Sequence, residues 1–249
     1  MPDGLLLLHA FPLDATMWEP QVKAVGAEVT VVTPNFPGFG GTPGVAPITR
    51  MDVAADVAAD AVREAGLDRV VVCGLSMGGY AALAFWQRHR EQVSGLVLAN
   101  TRAGDDDAAA KMRREELARR VMAEGTGFLV ESPPPLLSEG APSALLDRVR
   151  EIIRLQPPEA IAGASLGMQE RPDFTVYLGD IDVPTLVVTS SGDRLIPPEA
   201  TAPMAEQIPG AQLAVIEGAG HLSNLEAPEE FNRLLRGHLA RCGVLPSKS

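Results

Sequence analysis

Residues 70–80, VVVCGLSMGGY, decide how this chain folds. An apolar run closes on Gly74-Leu75-Ser76-Met77-Gly78 and passes into a segment with helical periodicity over 80–90. Strand, sharp turn, helix is the setting in which a G-x-S-x-G pentapeptide acquires chemical meaning. The flanking glycines leave room for a tight turn that lifts the serine hydroxyl above the sheet. The helix that follows brings its unpaired N–H groups and positive dipole end to the same oxygen. In a chain with 24 glycines such a pentapeptide also arises by chance, as an ordinary turn serine. Its meaning depends on whether a base, an acid and an oxyanion site lie in compatible places.

Outward from this turn, short apolar runs alternate with helix-like segments. Residues 5–8, 29–32, 70–74, 95–99, 185–189 and 213–216 predict strands, and their continuous hydrophobicity suits parallel strands buried on both faces. The spacing predicts helices over 51–65, with Val53, Val57 and Val62 along one side, over 198–208 and over 228–239. Such alternation implies a doubly wound α/β sheet whose ligands gather beyond the carboxyl ends of the strands. From about 105 to 180 the rhythm breaks. Helical patterns over 108–124, 144–155 and 158–169 surround a proline-rich stretch, which predicts an inserted helical cap. The expected division is a core of residues 1–104 and 181–249 with a cap of residues 105–180.

Residues that directly follow strands share an edge with Ser76, and this selects its partners. Of the four histidines, His89 and His238 fall within or against helices, whereas His9 and His221 follow strands. His221 ends the glycine-rich loop Glu217-Gly218-Ala219-Gly220 and comes last in the chain, as this type of elbow requires of a general base. His9 is the competing base, or a residue that fixes its own loop. Asp193 follows the fifth strand and is the candidate acid, and Asp105, Asp106 and Asp107 compete from the entrance to the insertion. Three adjacent acids there read as a solvated helix start. The oxyanion donors expected are the N–H of Met77, at the helix start, and that of Phe11, since Pro12 has none.

Composition narrows the classes of partner. The 249 residues carry a net charge of −11, which disfavours nucleic acid and anionic membrane surfaces. The arginines at 113, 114, 119 and 120 alternate with Glu115 and Glu116 and read as a solvated helix face. Two cysteines at no metal-type spacing imply neither a disulfide framework nor a metal site, and MPDGLLLLHAFP reads as neither signal peptide nor membrane span. The first βα junction, HAFPLD, has no glycine fingerprint for a dinucleotide. The expectation is a cytoplasmic protein without cofactor, monomeric or homodimeric. Met112, Met122 and Met168, with Phe128 and Leu136, would line an apolar pocket or fill the core of the cap.

Together LLLLHAFPLDATMW, PNFPGFGGTP, GLSMGGY, SGDRLIPPE and GAGHLSNLEAPEEFN resemble, in order and over nearly the whole length, the α/β-hydrolase family. The pattern is most similar to its small esterases and lactonases, including those resembling 3-oxoadipate enol-lactonase. The resemblance implies an α/β-hydrolase fold with Ser76, Asp193 and His221 as catalytic triad and Phe11 and Met77 as oxyanion hole. It implies hydrolysis of small carboxylic esters or lactones through an acyl-enzyme. A cofactor-free perhydrolase, C–C hydrolase or lyase on the same scaffold, or a low-turnover ligand receptor, is the alternative. Two departures stand out. His9-Ala10 replaces the usual His-Gly, and the family's first two strands have no counterpart, which predicts about six strands with 29–32 as an edge open to a second copy.

Overall fold

The computed structural model describes residues 3–44 and 48–246. The apolar runs become β1 (Asp3–Leu8), β2 (Val31–Val32), β3 (Arg69–Leu75), β4 (Val93–Ala99), β5 (Thr185–Ser190) and β6 (Gln212–Ile216). All pair in parallel, in one sheet ordered β2-β1-β3-β4-β5-β6. β1, β3 and β4 are buried at nearly every position, because helices cover both faces. In chain order the helices are α1 (Glu19–Val25), α2 (Met51–Glu64), α3 (Met77–Arg88), α4 (Ala108–Glu124), α5 (Gly127–Glu131), α6 (Ser143–Arg154), α7 (Pro158–Gln169), α8 (Pro198–Thr201), α9 (Pro203–Gln207), α10 (Ser223–Glu226) and α11 (Pro228–Arg241). Four of them, α4 to α7, lie between β4 and β5 in sequence. There α4 packs on α7 and α5 on α6.

Three details depart from the sequence reading. The buried side of α2 is formed by Met51, Ala54, Ala55, Ala58, Ala59 and Val62, while Val53 is exposed. Alanines let α2 approach α3 closely, so the larger valine is turned outward. The helix expected over 198–208 is two, α8 and α9, since Pro203 has no N–H to continue the first. The expected edge at 29–32 contributes only the pairs Leu5 with Val31 and Leu6 with Val32, and a strand this short is a poor template for another chain.

Strand order reverses beside β1, because the chain leaves it for β2 on one side and returns to β3 on the other. The crevice at such a switch point is where open α/β sheets hold ligands. Here it is built by the loop after β1 and the turn after β3, brought level by the pairing of Leu8 with Gly74. The turn is held by close backbone approach. A Cβ on Gly78 would overlap the Leu8 carbonyl, and one on Gly74 would overlap the carbonyl of Gly78. Between them Ser76 adopts φ 58° and ψ −116°, a strained conformation for a residue with a side chain. Two bonds from the end of β4 fix it: Ser76 N–H donates to Ala99 O at 3.0 Å, and Thr101 Oγ1 donates to Ser76 O at 2.8 Å.

His9 fixes the neighbouring loop. It is fully buried, its Nε2 accepts from Phe36 N–H at 3.0 Å and its Nδ1 donates to Ala10 O at 3.1 Å. The ring lies 4.5 Å from that of Phe36 and 5.2 Å from that of Phe39. Both nitrogens are thus committed to structure. Burial pulls the pKa down to about 4, against a smaller opposing effect of the Ala10 carbonyl.

Gly78→Ala forces the Leu8 carbonyl aside and lowers stability by roughly 1–3 kcal/mol, measured by urea unfolding; an unchanged midpoint would show that the close approach is dispensable. His9 is neutral in the folded protein but takes a proton near pH 6.5 when unfolded. Its stabilising contribution is therefore complete above that value and is lost as pH falls, levelling off near 4. Between pH 7.5 and 5 the loss from this group is roughly 2 kcal/mol. A His9→Gln variant, compared with the parent at the two pH values, should lack that part of the slope.

Candidate active site

Ser76 stands at the carboxyl end of β3 with only 7% of its surface exposed. It lines a cavity of about 370 Å³ with Phe11, Tyr80, Leu136, Met168 and Ile196. Met77 is the first residue of α3, so its N–H has no acceptor within the helix. The Phe11 N–H likewise makes no hydrogen bond among the described residues. Two unspent donors therefore belong to residues at this cavity: Phe11 lines it with Ser76, and Met77 follows Ser76 in the turn.

The other predicted pair meets directly. His221 Nδ1 lies 2.8 Å from Asp193 Oδ2, and both side chains are fully buried. Asp193 is held from four directions. Its Oδ1 accepts from Leu195 N–H and Ile196 N–H, each at 2.9 Å, and its Oδ2 also accepts from Asn100 Nδ2 at 2.9 Å. Burial works against ionisation, but the His221 bond and charge, with the Ile196 N–H and the Asn100 amide, outweigh it and hold the carboxyl below its ordinary pKa. His221 Nε2 is buried with no hydrogen-bond partner among the described residues, and no bond joins it to Ser76 in this arrangement. Such contacts often tighten only when a substrate is bound.

Asn100 is the residue that the sequence reading missed. It follows β4 in the left-handed region at φ 45°, a conformation asparagine tolerates. Its amide also donates to Ser190 Oγ at 2.9 Å, and its carbonyl accepts from Ser223 Oγ at 2.7 Å. One buried side chain thus ties the ends of β4 and β5 to the loop of His221. The available signal was its place after a strand on the same edge as Ser76.

The loop of His221 is fastened to the inserted helical segment. Glu226 accepts from Gly220 N–H at 2.8 Å and from both the N–H and hydroxyl of Ser138, at 3.1 and 2.6 Å. Leu222 N–H donates to Leu136 O at 2.9 Å. A side chain on Gly220 would collide with Ser138.

The acids at the entrance to that segment are not all solvated, contrary to the sequence reading. Asp107 caps α4, accepting from Ala110 N–H at 2.7 Å. Asp106 is buried and pairs with Arg102, with Arg114 at 3.1 Å and with Arg171 at 2.8 Å. Its burial raises the pKa less than Arg171 and Arg114 lower it, and the carboxyl titrates at about 2. The arginines of α4 are likewise divided: Arg119 and Arg120 pair with Glu116 and Glu124 at the surface, while Arg113 and Arg114 line the cavity. Met112 and Met122 are exposed and belong to neither pocket nor core, whereas Met168 and Leu136 reach the cavity. Phe128 packs under Arg120.

Among the described residues no three His, Cys, Asp or Glu side chains group as metal ligands, and no helix is long and apolar enough to cross a membrane. A thermophilic esterase from Thermogutta terrifontis, solved with malate bound, superposes with a TM-score of 0.92 at 39% identity, covering 97% of this chain and 92% of that one. The chain is 30% identical to the pimeloyl-[acyl-carrier protein] methyl ester esterase of Aromatoleum aromaticum, over 92% of this chain and 94% of that protein. It is 28% identical to 3-oxoadipate enol-lactonase 1 of Acinetobacter baylyi, over 94% and 87% respectively. Residues 5–234 match the Alpha/beta hydrolase family. With six parallel strands and an elbow serine at the switch point, the chain belongs to the alpha/beta hydrolase family.

Proposed function

We propose that this protein hydrolyses carboxylic esters or lactones of small molecules, with Ser76 as nucleophile, His221 as general base and Asp193 as the acid that orients it. The observation that carries this reading is the 2.8 Å bond from His221 Nδ1 to Asp193. It fixes the ring with Nε2 free, at the sheet edge where Ser76 projects. Nε2 takes the Ser76 proton as Oγ attacks the carbonyl carbon. The charge that develops on the carbonyl oxygen is met by the Phe11 and Met77 N–H groups, each worth roughly 3 kcal/mol in the transition state. The imidazolium, stabilised by Asp193, then protonates the leaving alkoxide, and an acyl-enzyme remains on Ser76. The same nitrogen activates water to release it.

Similarity to esterases and an enol-lactonase supports this chemistry. In this reading residues 105–180 are a cap that covers the strand ends and shapes the cavity, no cofactor takes part, and the two free cysteines suit a reducing compartment such as the cytoplasm.

Ser76→Ala should lower turnover of p-nitrophenyl acetate by a factor on the order of 10⁴ or more, and a fluorophosphonate probe should label the parent but not the variant. Undiminished hydrolysis in that variant would remove Ser76 from the mechanism. Asp193→Asn should fall by a comparable factor, roughly 10⁴, with the fold intact by circular dichroism.

A further inference from the structure

The cavity beside Ser76 is cationic in a chain whose net charge is −11. Arg102, Arg113 and Arg114 line it against two carboxylates, Asp106 and Asp107. The acids nearby are already committed. Asp105 pairs with Lys111 at 3.6 Å and Asp107 caps α4. Asp106 alone answers the guanidinium groups of Arg102, Arg114 and Arg171, so two positive charges have no carboxylate.

Arg171 is buried behind the wall, where it also donates to Met168 O at 2.7 Å and Gly104 O at 3.0 Å and lies 4.1 Å over the Tyr80 ring. Arg102 and Arg114 are the members of the cluster that face the cavity. Arg113 has no ion pair or hydrogen bond among the described residues, whereas Arg119 and Arg120, further along the same helix, are both paired. Unmatched guanidinium groups in a partly desolvated wall favour an incoming anion, and a carboxylate matches their planar fork in two bonds. Leu136, Met168 and Ile196 line the same cavity and offer apolar contact to a short carbon chain.

We propose that the preferred substrates are esters or lactones bearing a second, unreacting carboxylate, and that Arg102, Arg113 and Arg114 receive it. The inference rests on the hydrolase reading above and names the substrate class for that same site.

The test compares mono-p-nitrophenyl glutarate with p-nitrophenyl pentanoate, an ester of similar length without the charge. The parent should favour the glutarate in kcat/KM, and the preference should shrink as ionic strength rises. In Arg113→Gln the ratio of the two kcat/KM values should fall about tenfold or more, mainly through KM for the glutarate. Arg113 is exposed and unpaired, so this substitution leaves the fold untouched; Arg102→Gln serves as the second variant. An equal ratio in parent and variant, or no preference in the parent, overturns the proposal. Turnover of neither ester defeats the hydrolase reading instead. In that event the subsite is tested separately by calorimetry of glutarate with Ser76→Ala protein. Binding that disappears in Ser76→Ala/Arg113→Gln supports it, and no binding, or binding that persists there, overturns it.

Discussion

The approach of α3 to the ends of β1 and β3 governs the rest of the architecture. Gly78 rests against the Leu8 carbonyl and Gly74 against Gly78, leaving no space for a methyl group at either contact. That closeness turns the chain so sharply that Ser76 takes a positive φ, at the start of a helix whose first N–H, on Met77, has no acceptor within it. The strain is localised and is held by bonds from Ala99 and Thr101 on the neighbouring strand. Relaxing the turn would move Ser76 relative to Phe11 and Met77 at once, because all three are referenced to the same backbone contact.

Electrostatics divide the site into two buried systems with opposite character. Around Asp193 every lone pair is matched: two backbone N–H groups, an amide and an imidazole converge on one carboxylate. A fully satisfied network of this kind is rigid and specifies one geometry. Around Asp106 the balance is reversed, with cations in excess of carboxylate. The first system orients the imidazole; the second sets the potential of the cavity. They meet at the loops that follow β4, where Asn100 belongs to one and Arg102 to the other.

Much of this was readable from sequence because it is local. Continuous apolar runs mark the strands, and a position just after a strand brings Asp193 and His221 to one end of the sheet, where they meet, while His89 lies against Asp56. What escaped were properties that depend on distant partners. Asp106 reads as solvated among three acids, yet Arg171, which pairs with it, is brought in at the end of α7 by the packing of that helix on α4. Val53 fits a helical stripe as well as Ala54 does, and only the closeness of α3 decides between them. Met112 and Met122 were candidates by residue type, but periodicity cannot say which side of α4 meets α7. Asn100 does not titrate, so residue type alone does not single it out; its contribution is to hold a group that does.

The bonds between Glu226 and Ser138, and between Leu222 and Leu136, give the segment between β4 and β5 a second role besides lining the cavity. The loop that carries His221 takes two of its anchoring acceptors from opposite sides of the same junction, one from its own helix and one from the insertion. A transplant that exchanged residues 105–180 for the corresponding segment of a relative would therefore exchange part of the histidine's scaffold along with the pocket wall. Substitutions on α4 and α7 alter the cavity wall without touching these bonds, but the stretch 136–138 travels with the imidazole.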